Sequence, residues 1–298
     1  MRNSSCHSIG SEDRAAVAAM RAAVLPMKGQ VRDPGARASY DAIIGGVVPP
    51  DGVTFEPDTV GGVSGWWCRP ATARSAEAIL YLHGGWYMMG TAKAYRHLAG
   101  HIAASAGAPA FIPDYRLAPE HPFPSAIQDA EAVYRDLSNN RGIERIAIAG
   151  DSAGGGLALA LLAHADRAVG AVALSPVTDL TLSGESWKSR ADAEFFFTKP
   201  QAESLVAAYV GSNESRDPRA SPLYGDLTGL APVQIIVGDA ETLLDDSVRY
   251  ADRASAAGVD VRLDIWEGMP HGFLTSVGQL RAADEALTLV GAFLAEHF

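Results

Sequence analysis

The stretch GDSAGG, Gly150–Gly155, decides the fold. It stands directly behind the apolar run RIAIA (145–149) and directly before GLALALLAHA (156–165). In that setting G-x-S-x-G reads as a strand, a sharp turn and a helix. Glycine is needed at 150 and 154 because a Cβ there would collide with the neighbouring strand or helix. Such a turn holds Ser152 in a strained backbone conformation and exposes its hydroxyl. It also aims the Ala153 N–H, from a helix N-terminus, into the same space. A small-residue turn in a nucleotide-binding fold has the same local composition, and the strand and helix flanks argue for the nucleophile.

Outward from this elbow, strand-like runs alternate with helical stretches. The runs are AILYL (78–82), APAFI (108–112), RIAIA, AVALS (171–175), VQIIV (233–237) and VRLDIW (261–266). Several are apolar on both faces, which suits a parallel sheet covered by helices on each side. Helical composition fills Lys93–Ser105, Ile127–Leu137, Gly154–Ala165, Ser247–Ala257 and Gln279–Glu296. The alternation predicts one open α/β sheet with right-handed crossovers. Two shorter strands, VTFE (53–56) and VSGWWCR (63–69), precede it. Upstream, helices are expected over Glu12–Leu25, with Ser11 as N-cap, and from Asp33 to Gly45-Gly46. Between Ser175 and Val233 the rhythm breaks for nearly sixty residues without a convincing strand. An excursion of that length suggests a functional lid.

A serine hydroxyl needs a base. His271, in GMPHGF (268–273), follows the last strand-like run on a Gly/Pro-rich loop, where the chain order Ser, acid, His puts it. His97 and His101 lie four apart on a helix, but no third ligand accompanies them, so no metal is expected. The acid should lie after VQIIV, in GDAETLLDD (238–246), where Asp239, Glu241, Asp245 and Asp246 compete. Three of those four must be structural. The other loop with chemistry in it is LHGGWYMMG (82–90), between AILYL and a helix. Its Gly84 and Gly85 N–H groups, with that of Ala153, are expected to form a three-donor oxyanion hole.

Composition bounds the alternatives. The chain has 298 residues, 48% hydrophobic and 20% charged, with a net charge of −11. That charge and the lack of a basic stripe argue against nucleic acid or an anionic membrane as partner. No apolar run is long enough to span a bilayer, and the N-terminus has no secretory h-region. Two cysteines, Cys6 and Cys68, with Cys6 in a polar tail expected to be frayed, fit a reducing cytoplasm without a disulfide.

LHGGWYMMG, DYRLAPEHPFPSA (114–126), GDSAGG, SPVTDLTLSGES (175–186), ETLLDDS (241–247) and GMPHGF together, in that order, resemble the bacterial hormone-sensitive-lipase family of esterases. The resemblance covers nearly the whole chain. It implies an α/β-hydrolase fold with a mostly parallel sheet of about eight strands. It also implies a helical cap built from residues 1–46 and an insertion at about 180–225 of the catalytic domain, 47–298. Ser152 would be the nucleophile and His271 the base. The family's D-P-L-x-D segment aligns with E-T-L-L-D, which puts Glu241 in the acid's place, where many relatives have Asp. The family also reads HGGG where this chain has Trp86 third, so the space beside the oxyanion hole should be smaller. His83 is implied to be structural, Asp151 to support the site, and Asp114, Arg116 and Glu120 to form a polar scaffold network. Met27, Trp86, Tyr87, Met88, Phe195, Phe196, Phe197 and Leu205 are candidates for the substrate pocket.

The implied activity is serine carboxylesterase on short- to medium-chain esters, without metal or organic cofactor. A lactonase or an N-acetyl or amide hydrolase would use the same machinery. A non-catalytic binding relative, as in plant gibberellin receptors, lacks the base that is retained here. A homodimer through the last strand, VRLDIW, whose edge would otherwise be exposed, is a further expectation.

Overall fold

Strands that are apolar on both faces need cover on both, and the computed structural model, which describes residues 3–30, 33–74 and 76–298, supplies it. Nine strands form a single sheet: β1 (Asn3–His7), β2 (Val53–Val60), β3 (Val63–Pro70), β4 (Glu77–Leu82), β5 (Ala110–Pro113), β6 (Arg145–Asp151), β7 (Ala168–Leu174), β8 (Val233–Gly238) and β9 (Val261–Trp266). Their spatial order is β1-β9-β8-β7-β6-β4-β5-β3-β2. Every neighbouring pair is parallel except those of β3, which runs antiparallel to β2 and β5.

The helices are α1 (Ser11–Val24), α2 (Arg37–Ile44), α3 (Ala92–Ala106), α4 (Ser125–Asn140), α5 (Ala153–Leu162), α6 (Ser186–Ser189), α7 (Lys199–Val210), α8 (Leu244–Ala256) and α9 (Arg281–His297). Leu80 and Ile148 point into a core layer with α4, α5 and α8. Their strand neighbours Ile79 and Ala147 point the other way, into a layer with α3 and α9. Strands β4 and β8 are buried along their whole length. Each fully buried Leu, Ile or Val there contributes about 1.5–3 kcal/mol of transfer free energy. No helix among the described residues is long and apolar enough to cross a membrane.

The polar N-terminus is where the structure departs from expectation. Asn3–His7, read as a frayed tail, is a strand that pairs in parallel with β9, Asn3 opposite Arg262 and His7 opposite Trp266. The sheet therefore has nine strands, and residues 1–46 do not consist of cap helices alone. The sequence NSSCH carries no apolar alternation because the strand is largely exposed. It is held by backbone pairing and by His7, whose ring stacks on Trp266 at 4.1 Å and whose Nε2 lies 2.9 Å from Asp264 Oδ1. The edge of Val261–Trp266 expected to be open for a second chain is thus closed by β1. A smaller correction concerns α1, which begins at Ser11 with Gly10 as its cap residue.

The N-terminal helices and the 180–225 excursion meet each other. Arg21 donates to the carbonyls of Asp192 and Ala193, Lys28 to those of Ala191 and Glu194, and Gln201 to that of Gln30. These bonds lash α1 and the turn after it to the segment that leads into α7.

Candidate active site

Parallel strands present their C-terminal ends on one edge of a sheet, and loops there converge. Ser152 follows β6, the 83–90 loop follows β4 beside it, Glu241 follows β8 and His271 follows β9. Leu82 pairs with Gly150, which brings the glycine loop alongside the elbow. At the elbow Ser152 adopts φ 55°, ψ −122°. A residue held there costs about 1–3 kcal/mol. The strain is held by the Ser152 N–H on Leu174 O at 2.7 Å, and by Gly156 N and Val177 N on Ser152 O, both at 3.0 Å. A Cβ on Gly154 would strike the carbonyl oxygens of Leu82 and His83, and one on Gly150 that of Gly154. The turn can therefore close only with glycine at both positions.

His271 Nε2 lies 3.0 Å from Ser152 Oγ, and His271 Nδ1 lies 2.7 Å from Glu241 Oε2. Glu241 is fully buried, and its Oε1 accepts from Ser175 Oγ and Gly238 N, each at 2.7 Å. The longer glutamate arm is fixed at both oxygens, which orients the carboxylate towards the imidazole. The competing acids are engaged elsewhere. Asp239 accepts from Gly268 N, Asp245 from Ser186 N, and Asp246 from Thr178 N and Asp179 N. Burial works against a charge on His271. The hydrogen bond and charge of Glu241, with the charges of Glu194 and Asp151, outweigh it and hold its pKa above the ordinary 6.5.

The glycine loop corrects one expectation. Gly84 N–H donates to Asp151 Oδ1 at 2.9 Å, so it is not free to serve as an oxyanion donor. A Cβ at Gly84 would run into that same carboxylate. Five carbonyls of the loop are also occupied. His83 O accepts from Tyr115 OH, Gly84 O from His83 Nδ1, Gly85 O from Met88 N and Met89 N, Tyr87 O from Ala118 N, and Met88 O from Arg37 Nε. The N–H groups of Gly85 and Trp86 meet no acceptor among the described residues. Ala153 N–H is one of the orphan donors that open a helix, here α5. Buried His83 stacks on Tyr115 at 4.3 Å, and burial pushes its pKa down to about 4, so it is a neutral strut.

Trp86, at φ 55°, leaves the loop and meets the edge of Phe197 at 5.5 Å and the tilted ring of Trp187 at 6.4 Å. Phe197 in turn stands edge-on to the His271 ring at 5.2 Å. Phe197 thus walls one side of the imidazole, with Trp86 and Trp187 packed on it. The other proposed pocket residues divide. Leu205 and Met88 are buried in the same core layer as this wall. Tyr87 is turned away and stacks on Tyr209 at 3.8 Å, Phe196 packs on Phe195 at 4.7 Å, and Met27 is half exposed. A cavity of about 10 Å³ lies beside Ser152 and His271, lined also by Leu98, Leu174 and Leu274. A groove of about 450 Å³ between α4 and the α5–β7 turn is larger, but its walls (Glu131, Arg135, His164, Arg167 among them) include none of Ser152, Glu241 and His271.

Asp114, Arg116 and Glu120 do not form one network. Asp114 accepts from Ala92 N at the start of α3, Arg116 pairs with Asp129 and Glu120 with Arg37. His97 and His101 each meet a backbone carbonyl, of Val47 and Val48. Residues that the sequence reading passed over are Ser175, Trp187 and Glu194. Ser175 closes the strand run AVALS and Trp187 follows the SPVTDLTLSGES segment directly, so both had a positional signal. Glu194 had none. It is buried, accepts from Phe196 N and Thr242 N, and so ties the Phe195–Phe197 turn to the loop that carries Glu241.

A model of the alpha/beta hydrolase fold matches residues 79–275. The chain is 36% identical, with a TM-score of 0.89, to the crystal structure of an esterase from the bacterial hormone-sensitive lipase family, covering 97% of this chain and 98% of that one. The chain belongs to the hormone-sensitive-lipase family of α/β-hydrolases. Among its relatives are an acetyl-hydrolase of Streptomyces hygroscopicus, 38% identical over 83% of each chain, and an ethyl acetate hydrolase of Pseudomonas putida, 34% identical over 76% of this chain and 74% of that one. As a member of this family it is a carboxylic ester hydrolase.

Proposed function

We propose that Ser152 is the nucleophile, His271 the general base and Glu241 the acid of a serine carboxylesterase acting on short-chain esters. The observation that carries this reading is the unbroken relay from Ser152 Oγ through His271 to Glu241, at 3.0 and 2.7 Å. Ser152 Oγ attacks the ester carbonyl carbon while His271 Nε2 takes its proton, and Glu241 stabilises the imidazolium. The carbonyl oxygen becomes an oxyanion, for which Gly85, Trp86 and Ala153 offer their N–H groups. His271 then protonates the departing alkoxide, and water cleaves the acyl-enzyme by the same path.

The Trp86–Phe197–Trp187 cluster beside His271 supports a preference for small acyl groups. The turn after α1 and the 180–225 insertion, joined by Arg21 and Lys28, act as the cap over the site. The acetyl-hydrolase and ethyl acetate hydrolase relatives favour the same small acyl class.

The test is a series of p-nitrophenyl esters: kcat/KM should fall steadily from acetate through butyrate to octanoate. A profile that peaks at octanoate would refute the short-chain reading. Trp86→Gly should relieve the left-handed backbone yet remove a buried ring, for a net loss of about 2–4 kcal/mol of stability. It should also raise the kcat/KM of a bulky ester relative to its small counterpart about tenfold. A shift in the octanoate-to-acetate ratio places the wall on the acyl side, and one in the tert-butyl-to-ethyl ratio places it on the alcohol side. If neither ratio moves, Trp86 is only packing.

Activity should also track the neutral imidazole. Because the His271 pKa is raised, the protonated and inactive form persists to higher pH than for a free histidine. The acid limb of kcat/KM should therefore have its midpoint above 6.5. A midpoint below that value would contradict the pairing with Glu241.

A further inference from the structure

One face of the short helix α2 reaches three points around the glycine loop. Its residues Arg37, Tyr40 and Asp41, spaced i, i+3 and i+4, share that face. Arg37 Nε donates to Met88 O at 2.7 Å, and Asp41 Oδ2 accepts from Thr91 Oγ at 3.0 Å, just past the loop's end. Tyr40 OH lies 2.6 Å from Tyr95 OH, which donates to Asp151 Oδ2 at 3.3 Å. The carboxylate only accepts, so Tyr95 gives its proton to Asp151 and takes that of Tyr40. Asp151 Oδ1 holds Tyr81 OH at 2.8 Å and Gly84 N–H at 2.9 Å. A continuous chain of hydrogen bonds therefore runs from α2, near the N-terminus, to the backbone of the loop.

From this juxtaposition we infer that Tyr40 is a positioning residue for ester hydrolysis, setting the Gly85 and Trp86 N–H groups through Tyr95, Asp151 and Gly84. The inference rests on the reading above, in which those two groups receive the oxyanion. The energetic logic is that of preorganisation. Gly85 and Trp86 directly follow the N–H that is tethered to Asp151, and a donor displaced by a fraction of an ångström loses much of its worth to a developing charge. Burial pushes the Asp151 carboxyl up to about 6 even with its donors in place, so the anchor depends on each of them. Tyr40 touches none of the reacting atoms. Removing its hydroxyl should weaken transition-state binding and leave ground-state binding alone.

The experiment compares wild type with Tyr40→Phe, Tyr95→Phe and the double variant, each normalised by active-site titration so that misfolded protein does not count. The readouts are kcat and KM for p-nitrophenyl acetate and the affinity for ethylboronic acid, whose adduct with the serine is a tetrahedral anion. Each single variant should lose about tenfold in kcat and about tenfold in boronate affinity, with KM within about twofold. The double variant should lose no more than the worse single one, because both cut the same chain. If Tyr40→Phe retains kcat per titrated site and boronate affinity within about twofold of wild type, whatever Tyr95→Phe does, Tyr40 only packs and the inference is overturned. Fully additive losses would overturn the chain as the route. If Ser152→Ala binds the boronate as tightly as wild type, the oxyanion reading itself fails, and this inference with it.

Discussion

Ser152→Ala should hydrolyse p-nitrophenyl acetate at least about 10⁵-fold more slowly than wild type, because residues of such a relay act as a unit and loss of the nucleophile removes the covalent route entirely. The fold should be untouched. Among the described residues the only side-chain hydrogen bond of Ser152 runs to His271, and the strained turn is held by main-chain bonds that alanine keeps. The measurements are kcat on purified protein and a thermal melt beside wild type. A melting point within a few degrees, with turnover gone, assigns the loss to chemistry. Turnover that survives would remove Ser152 from the mechanism.

The second large effect should fall on Glu241. In Glu241→Gln the side chain keeps its shape and can still accept from Ser175 Oγ and Gly238 N through its carbonyl oxygen. Its NH2 group then faces His271 Nδ1, which favours the tautomer with the proton on Nε2, where it cannot accept from serine. The imidazolium also loses its counter-charge. Together these should cost about 10⁴-fold in kcat. Asp245→Asn is the control. Its carboxylate accepts from Ser186 N and does not meet the imidazole, so kcat should stay within about threefold while stability drops by about 1 kcal/mol. The reverse ranking would make Asp245 the acid.

The sequence made the sheet legible wherever a strand is buried on both faces, because such runs have few other uses. It concealed β1, whose polar residues are held by main-chain pairing that carries no side-chain signature. The base was legible from chain order, since only one loop follows the last apolar run. Among the four acids, spacing left all four open, and only the family resemblance pointed to Glu241. The choice depends on where the β8 loop turns and on Ser175, a residue from a different strand. The glycine loop is the sharpest case. Two glycines look like two donors, but which N–H is left unpaired depends on Asp151, 67 positions away. The aromatic residues were equally ambiguous, since composition does not say that Trp86 turns toward His271's wall and Tyr87 toward Tyr209.

The central claim, that a covalent intermediate forms on Ser152 activated by His271, is tested most directly by stoichiometric labelling with a p-nitrophenyl alkylphosphonate. Release of one p-nitrophenol per chain should coincide with complete loss of esterase activity, and peptide mapping should find the phosphonyl group on Ser152. Label on any other residue, or activity that persists once Ser152 is fully modified, would contradict it.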